Sequence, residues 1–162
     1  MKRPAKGSER RGSGPGGDPR RPHDRNERAK PIRLGILSDT HGLLRPEAIE
    51  ALRRCPILLH AGDIGDPEIL EALAAHGKIV AVRGNVDRDD WARTIPEARR
   101  FRLRGVGFLL VHDGKGIDRA AAGPGIDVVV CGHSHIPRIE ERDGLLFVNP
   151  GSAGPRPRHL PV

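Results

Sequence analysis

The sequence predicts an α/β protein in which a parallel sheet is followed by a second, more antiparallel sheet. In the first half of the chain, short apolar segments alternate with segments of helical character. In the second half, apolar segments follow one another with only short turns between them. Alternating strands and helices are typical of a parallel sheet covered by helices, whereas strands joined by short turns favour antiparallel pairing.

The first half is predicted to contain three strands and two helices in the order βαβαβ. A proline stands at the start of each helical segment, at Pro46 and Pro67, where a helix does not use the missing N–H. Gly77 follows the second helical segment and is typical of a helix end. The predicted strands span residues 32–38, 57–60 and 78–82, and the predicted helices span residues 46–54 and 67–76.

The second half is predicted to contain five strands and one short helix. Asp143-Gly144 lies between the last two apolar segments and is a strong signal for a β-hairpin turn. The predicted strands span residues 99–104, 107–111, 127–131, 136–141 and 145–148, and the predicted helix spans residues 117–122.

Residues 1–30 differ in composition from the rest of the chain. They hold ten Lys/Arg and four Asp/Glu, which accounts for +6 of the formal net charge of +7. With five Gly, four Pro and three apolar residues, this segment cannot bury enough surface to offset its ordering entropy. The sequence therefore predicts a disordered basic tail over residues 1–30 and a nearly neutral domain over residues 31–162. The tail is interpreted as a solvated extension, with a tether to nucleic acid or another anionic surface as the alternative.

Two features bear on where the protein works. The sequence contains no run of about 18 apolar residues, so it does not predict a membrane-spanning segment. Its two cysteines, Cys55 and Cys131, are too few for a disulfide framework and are typical of a reducing compartment. We therefore expect a cytoplasmic protein, while its oligomeric state is left open by the sequence.

Polar side chains of metal-binding type directly follow five of the predicted strands. In open α/β sheets, ligand sites form outside the carboxyl ends of strands, so these side chains are expected to meet at one edge. The predicted metal ligands are Asp39, His41, Asp63, Asn85, His112, His133 and His135.

The chemistry of this ligand set is that of a dinuclear centre. Two carboxylates, one carboxamide and four imidazoles offer oxygen and nitrogen without thiolate, which suits Mn, Fe, Zn, Co or Ni. Seven ligands are too many for one ion with an open position but enough for two ions that share a carboxylate. Two divalent ions with two anionic ligands keep a formal charge near +2, which favours an anionic substrate such as a phosphate ester.

The order and spacing of these residues resemble those of the calcineurin-like metallophosphoesterases. The chain is similar to the small single-domain bacterial and archaeal branch of that superfamily, to which the retromer scaffold subunit of eukaryotes is related. The resemblance spans Ile32 to about Ser152. It is carried by LSDTHG (37–42), HAGD (60–63), VRGNVD (82–87), the Gly-His-Ser-His of residues 132–135 and NPGS (149–152).

The resemblance implies a fold, a ligand assignment and a reaction. The fold is a four-layer α-β-β-α sandwich of two mixed sheets. Two divalent ions, Mn²⁺ foremost, hydrolyse a phosphodiester through a water or hydroxide that bridges them, while Asn85 and the metals stabilise the phosphoryl oxygens. The first ion is assigned to Asp39, His41, Asp63 and His135, and the second to Asp63, Asn85, His112 and His133, with Asp63 bridging.

Two departures from the superfamily pattern affect the interpretation. Val86 stands where many members carry a histidine that assists the leaving group. Asp113 follows His112 where the branch usually has His-Gly-His, and we interpret it as a solvent-facing loop residue, with a proton donor as the alternative. A protein-interaction scaffold with a vestigial metal site is therefore the alternative to the phosphodiesterase.

Three further residues receive structural interpretations only. Cys131 precedes the Gly-His-Ser-His turn and is expected to be a buried packing residue. Arg83 and Asp87 flank Asn85 and are expected to pair and so hold its loop. His60 is assigned no role.

Overall fold

The computed structural model describes residue 1 and residues 31–155. Apart from Met1, the predicted basic tail of residues 1–30 lies outside the described residues. The boundary between tail and domain at residues 30 and 31 therefore stays a prediction.

The first half of the domain folds as predicted, as a three-stranded parallel sheet in the order β1-β2-β3. A proline begins each helix, and the Asp66 side chain accepts a hydrogen bond from the Glu68 N–H at the start of the second. The elements are β1 (Leu34–Leu37), α1 (Pro46–Leu52), β2 (Ile57–His60), α2 (Pro67–Ala74) and β3 (Lys78–Ala81).

The second half forms a five-stranded mixed sheet in the order β4-β5-β6-β8-β7. The outer pairs β4-β5 and β7-β8 are antiparallel, whereas β5-β6 and β6-β8 are parallel. A short 3₁₀ helix, which the sequence analysis did not predict, covers Asp90–Thr94. The remaining elements are β4 (Ala98–Leu103), β5 (Val106–Val111), α3 (Arg119–Ala122), β6 (Val128–Val130), β7 (Arg138–Arg142) and β8 (Leu145–Asn149).

Strand β7 begins two residues later than predicted. The predicted strand started at Ile136, but the observed strand starts at Arg138, directly after Pro137. Proline has no backbone N–H to donate to the strand ladder, so it is poorly suited to continue one. The shift keeps His135 and Ile136 in the loop that precedes the strand.

Three apolar clusters define four layers, which confirms the predicted fold class. Between the helices and the first sheet, Leu58 packs with Leu52 and Leu73. The next residue of β2, Leu59, points to the opposite face and packs with Phe108 between the two sheets. On the far face of the second sheet, apolar side chains of β5, β6 and β8 pack with Ala122 of α3.

Both cysteines are unpaired, and Cys131 is buried, as its position in an apolar strand predicted. Among the residues that the structure describes, no helix is long and apolar enough to cross a membrane.

Truncation of Leu59 is expected to destabilise the domain strongly. Leu59 is fully buried between the sheets, so Leu59→Ala should lower the free energy of unfolding by about 2–5 kcal/mol through lost transfer energy and a cavity. Ile139→Ala is the matched control because Ile139 is 74% exposed, and its cost should stay within about 0.5 kcal/mol. Urea unfolding followed by circular dichroism measures both, and equal losses would contradict the assigned layers.

Candidate metal centre

All seven predicted ligands lie together at one edge of the domain, directly after the carboxyl ends of five strands. Backbone hydrogen bonds join the loops that carry them: Asp39 N–H donates to Gly62 O at 3.0 Å, and Gly132 N–H donates to His112 O at 2.9 Å. Asp39 and His41 follow β1, Asp63 follows β2, Asn85 follows β3, His112 follows β5, and His133 and His135 follow β6.

One group of side chains consists of Asp39, His41 and His135. The Nε2 atoms of His41 and His135 lie 3.3 Å apart, and Asp39 Oδ1 lies 3.2 Å from His135 Nε2. Asp39 is fully buried, and its Oδ1 atom has no hydrogen-bond partner among the described residues. Its other oxygen, Oδ2, accepts the His133 N–H at 3.1 Å.

A second group consists of Asn85, His112 and His133. Asn85 Oδ1 lies 3.0 Å from His112 Nε2 and 3.1 Å from His133 Nδ1, and these two nitrogens lie 3.3 Å apart. His112 Nδ1 lies 2.8 Å from Ala61 O, and a carbonyl oxygen only accepts. In the neutral ring the proton is therefore on Nδ1, which leaves the Nε2 lone pair directed at Asn85.

The Asp63 carboxylate lies between the two groups. Its Oδ2 atom is 3.8 Å from His41 Nε2, and its Oδ1 atom is 3.3 Å from His112 Nε2. Asp63 is nearly fully buried, and its Oδ1 atom also accepts the Val86 N–H at 3.0 Å. One carboxylate thus presents one oxygen to each group, which is the arrangement that a bridging ligand needs.

These contacts fit divalent cations because they bring acceptor atoms together. Asn85 Oδ1 and the unprotonated Nε2 of His112 both carry lone pairs, yet they lie 3.0 Å apart. The unpaired Asp39 Oδ1 would by itself cost about 1–3 kcal/mol of desolvation. A cation at each group would satisfy these lone pairs, and the mixed oxygen and nitrogen donors suit the first-row transition metals. Asp39 with His41 and His135, and Asp39 with Asp63 and His112, have ligand atoms close enough to share an ion.

The backbone is strained at five of the seven predicted ligands. Positive φ costs a non-glycine residue about 1–2 kcal/mol, and the structure describes seven such residues. Two of them, Arg104 and Asp143, lie in hairpin turns, where this conformation is common. The other five are Asp39 (56°), His41 (46°), Asp63 (52°), His133 (68°) and His135 (58°). Strain of this kind concentrates at functional sites, where the surrounding structure enforces it.

Two glycines allow the loops to approach the carboxylates. A Cβ atom at Gly84 would collide with Asp63 Oδ1, and a Cβ atom at Gly132 would lie 2.7 Å from Asp39 Oδ2. Both positions therefore admit only glycine without displacing a predicted ligand.

The predicted pairing of Arg83 with Asp87 is wrong. Arg83 instead pairs with Glu97 at 2.6 Å. The buried Asp87 carboxylate accepts three backbone N–H groups, from Ile64 at 3.1 Å, Gly65 at 2.8 Å and Gly84 at 2.8 Å. These fixed donors stabilise a buried carboxylate without requiring a partly exposed guanidinium to be desolvated. Asp87 therefore ties the loop after β2 to the loop after β3, beside Asp63 and Asn85.

The sequence assigned no role to His60, but its ring lies within hydrogen-bond distance of the loop after β1 and of the loop after β2. Its Nδ1 accepts the Gly62 N–H at 3.2 Å, so the proton is on Nε2, which lies 3.0 Å from Thr40 Oγ1. Thr40 in turn donates to Ile64 O at 2.9 Å. The ring is fully buried, and desolvation lowers its pKa from 6.5 to about 4, against the opposing effect of Asp87.

The NPGS segment after β8 ties the β1 and β6 loops together. Asn149 Nδ2 donates to Gly132 O at 2.6 Å and to Ser134 Oγ at 3.1 Å. Ser152 Oγ donates to Asp39 O at 2.9 Å. These bonds fix the segment in place, and the hydroxyl of its serine is engaged with the backbone.

Comparison with known families gives this arrangement a context. A model of the calcineurin-like phosphoesterase superfamily domain matches residues 32–161. The chain belongs to this superfamily. A probable metallophosphoesterase of Methanothermobacter thermautotrophicus is 34% identical over 131 residues, which cover 74% of this chain and 76% of the relative.

Solved structures of the calcineurin-like fold are similar to this one. An archaeal phosphodiesterase shares 26% identity with a TM-score of 0.60, over 74% of this chain and 83% of that one. Vps29 from Entamoeba histolytica shares 22% identity with a TM-score of 0.63, over 78% of each chain, and so shares the fold. The resemblance drawn from the sequence is confirmed at the level of the calcineurin-like superfamily, while the roles of the seven side chains stay predictions.

The buried His60 is expected to make the free energy of unfolding of the domain depend on pH. Between pH 6.5 and about 4 the unfolded chain binds a proton at His60 that the folded protein does not, so stability should fall as the pH falls through this window. The whole loss is on the order of 3 kcal/mol. Urea unfolding of metal-free protein across this range should show a flatter pH dependence for His60→Gln than for wild type.

The matched control for this comparison is His76→Gln, because His76 is exposed just after α2. In that variant the free energy of unfolding should depend on pH as strongly as in wild type. If the pH dependence were equally strong in His60→Gln, the pKa of His60 in the folded protein would not be lowered.

Proposed function

We propose that this chain is a dinuclear metal-dependent phosphodiesterase. The observation that supports this most directly is the Asp63 carboxylate, whose two oxygens face two separate groups of nitrogen and oxygen donors. Asp39, His41, Asp63 and His135 would hold one ion, and Asp63, Asn85, His112 and His133 would hold the other. Mn²⁺ is the proposed metal, with Fe, Zn, Co and Ni as ions of the same ligand preference.

The two ions would supply Lewis-acid charge that polarises the phosphoryl group and lowers the pKa of water at the centre. The chain itself positions the substrate. Asn85 is exposed, and its Oδ1 is directed at His112 and His133, which leaves its amide N–H groups to donate to a phosphoryl oxygen. Asp63 holds the two halves of the centre at a fixed separation because it is buried and bound by the Val86 N–H.

The charge and exposure of the site favour an anionic substrate that approaches from solvent. With two divalent ions, the two carboxylates Asp39 and Asp63 would leave a formal charge of about +2. Asn85 and His133 are exposed, so a phosphodiester reaches the centre without the opening of a lid within the described residues. The similarity to an archaeal phosphodiesterase supports a diester over a monoester.

The leaving group receives no help from residue 86. Val86 is 43% exposed beside Asn85 and has no proton to donate. Asp113 is exposed, and its Oδ1 accepts the Lys115 N–H at 2.8 Å, as in an ordinary turn. We therefore propose a preference for esters whose leaving groups depart as stable anions, such as aryl esters.

A protein-binding scaffold is the second candidate function. Leu43, Val86 and Ile136 are exposed apolar side chains, each within two residues of a predicted ligand. Exposed apolar side chains around a polar site are typical of a surface that binds another protein. This candidate predicts a chain that binds a protein over this edge and hydrolyses nothing.

The cysteines bear on the cellular setting. Two unpaired cysteines in the described fold favour the cytoplasm. Binding of nucleic acid through residues 1–30 remains a proposal that rests on their charge alone.

Metal-dependent hydrolysis tests the leading candidate. Metal-stripped protein should cleave bis(4-nitrophenyl) phosphate only after Mn²⁺ is added, and should cleave the 4-nitrophenyl monoester more slowly. His135→Ala should lower kcat/KM by about a hundredfold or more, because one ligand of the first ion is lost. His76→Ala is the matched control, since His76 is an exposed histidine outside the centre, and it should leave the rate unchanged.

Metal content measured by mass spectrometry separates the remaining outcomes. A protein that cleaves neither ester and binds no metal would favour the scaffold. Two bound ions without cleavage of either ester would contradict a general phosphodiesterase while supporting the ligand assignment.

Val86→His should extend the reaction to poor leaving groups. A histidine beside Asn85 can protonate a departing alkoxide, and general acid catalysis of this kind contributes about a hundredfold or more when well positioned. Hydrolysis of an alkyl phosphodiester by the variant should therefore rise at least about tenfold, while hydrolysis of the 4-nitrophenyl ester stays the same. Equal effects on both esters would show that residue 86 acts on something other than the leaving group.

A further inference from the structure

A cavity of about 350 Å³ opens next to the candidate metal centre. It lies between the loop after β5, which carries Lys115, and the hairpin of β7 and β8. His133, a predicted metal ligand, lines it, so the cavity and the centre share a wall. Its volume is that of a site for a small organic group.

One wall of the cavity is apolar. Ile136, Cys131 and Phe147 contribute to it, and Ile136 is 60% exposed. A ring or short hydrocarbon placed against this wall would lose water from apolar surface on both sides, which favours binding.

The side chains that line the cavity carry a net positive charge: three are cationic, Lys115, Arg138 and Arg142, and two are carboxylates, Asp113 and Glu140. Glu140 is engaged by two arginines, at 3.4 Å from Arg138 Nε and 3.8 Å from an Arg142 guanidinium nitrogen. Arg142 is further fixed because it stacks on the Phe147 ring at 4.1 Å and donates to Ile117 O at 3.0 Å. Within residues 31–155, Lys115 forms no ion pair.

We infer that this cavity takes the leaving group of the phosphodiester and selects one that carries a negative charge, which Lys115 binds. The inference rests on the proposed function, because it places the phosphorus at the metal centre beside His133. The substituent then extends along the apolar wall toward the Lys115 ammonium. A cationic leaving group would meet a lining in which cationic side chains outnumber the carboxylates Asp113 and Glu140, and in which Glu140 is already paired.

Three chromogenic diesters test the selectivity. Methyl 4-nitrophenyl phosphate is compared with its derivatives that carry a carboxylate or a carboxamide at position 3 of the ring. The carboxylate and carboxamide have nearly the same size but differ in electron withdrawal, so the charge contact is measured by how the ratio of their kcat/KM values changes between variants. Lys115 is exposed, and its charge is therefore expected to shift this ratio about fivefold in favour of the carboxylate.

Lys115→Met should lower this ratio about fivefold from its wild-type value. Lys78→Met is the matched control, because Lys78 is an exposed lysine on β3 and lies outside the cavity, and it should keep the wild-type ratio. The same ratio in Lys115→Met as in wild type would overturn the inference.

Binding provides a readout that does not need turnover. Calorimetry on metal-loaded protein compares 3-carboxyphenylphosphonate with 3-carbamoylphenylphosphonate, and the carboxylate should bind about fivefold more tightly in wild type but not in Lys115→Met. Retained binding selectivity without hydrolysis would contradict the proposed reaction and support the cavity. Hydrolysis without selectivity would contradict only the proposed role of the cavity. The absence of both binding and hydrolysis would contradict the role of the cavity and the proposed reaction.

Discussion

Three backbone hydrogen bonds between the loop after β1 and the loop after β2 hold the candidate metal centre together. Asp39, His41 and Gly42 donate N–H groups to the carbonyls of Gly62, Asp63 and Ile64 at 3.0, 3.0 and 2.8 Å. They continue the pairing of β1 and β2 beyond the ends of the strands, so the fold of the parallel sheet sets where the ligands lie. The other loops are placed against this pair through Asp87, Asn149 and Ser152.

This arrangement holds the ligands in conformations that isolated residues would avoid. Left-handed backbone at Asp39, His41 and Asp63 costs about 1–2 kcal/mol at each residue, and the lone pairs brought together add repulsion. The backbone hydrogen bonds offset the first cost, whereas a bound cation would offset the second. The domain is therefore expected to be less stable without metal than with it, since a ligand that binds only the folded state adds to its stability.

The sequence was sufficient to predict the strands and the candidate ligands, which follow from local residue patterns. It was insufficient for contacts between residues that are far apart in the chain. Apolar segments located the strands, and the polar residues that follow them located all seven candidate ligands. Asp87 was misassigned because its partners Ile64 and Gly65 lie more than 20 residues away and are backbone groups, which a sequence pattern does not reveal. The same applies to the cavity, since Lys115 faces a hairpin that comes later in the chain.

The candidate metal centre and the cavity beside it would act on different parts of a substrate. The domain predicted over residues 31–162 has 132 residues, and the exposed Asn85 and His133 give its metal centre an open approach. Ions and phosphoryl oxygens attract one another whatever ester is attached, so the centre by itself distinguishes poorly between diesters. In the proposed phosphodiesterase, discrimination would come from groups that contact the substituent, such as those that line the cavity beside His133. The proposed selectivity of the cavity would be modest, because Lys115 is exposed and its charge is screened by solvent.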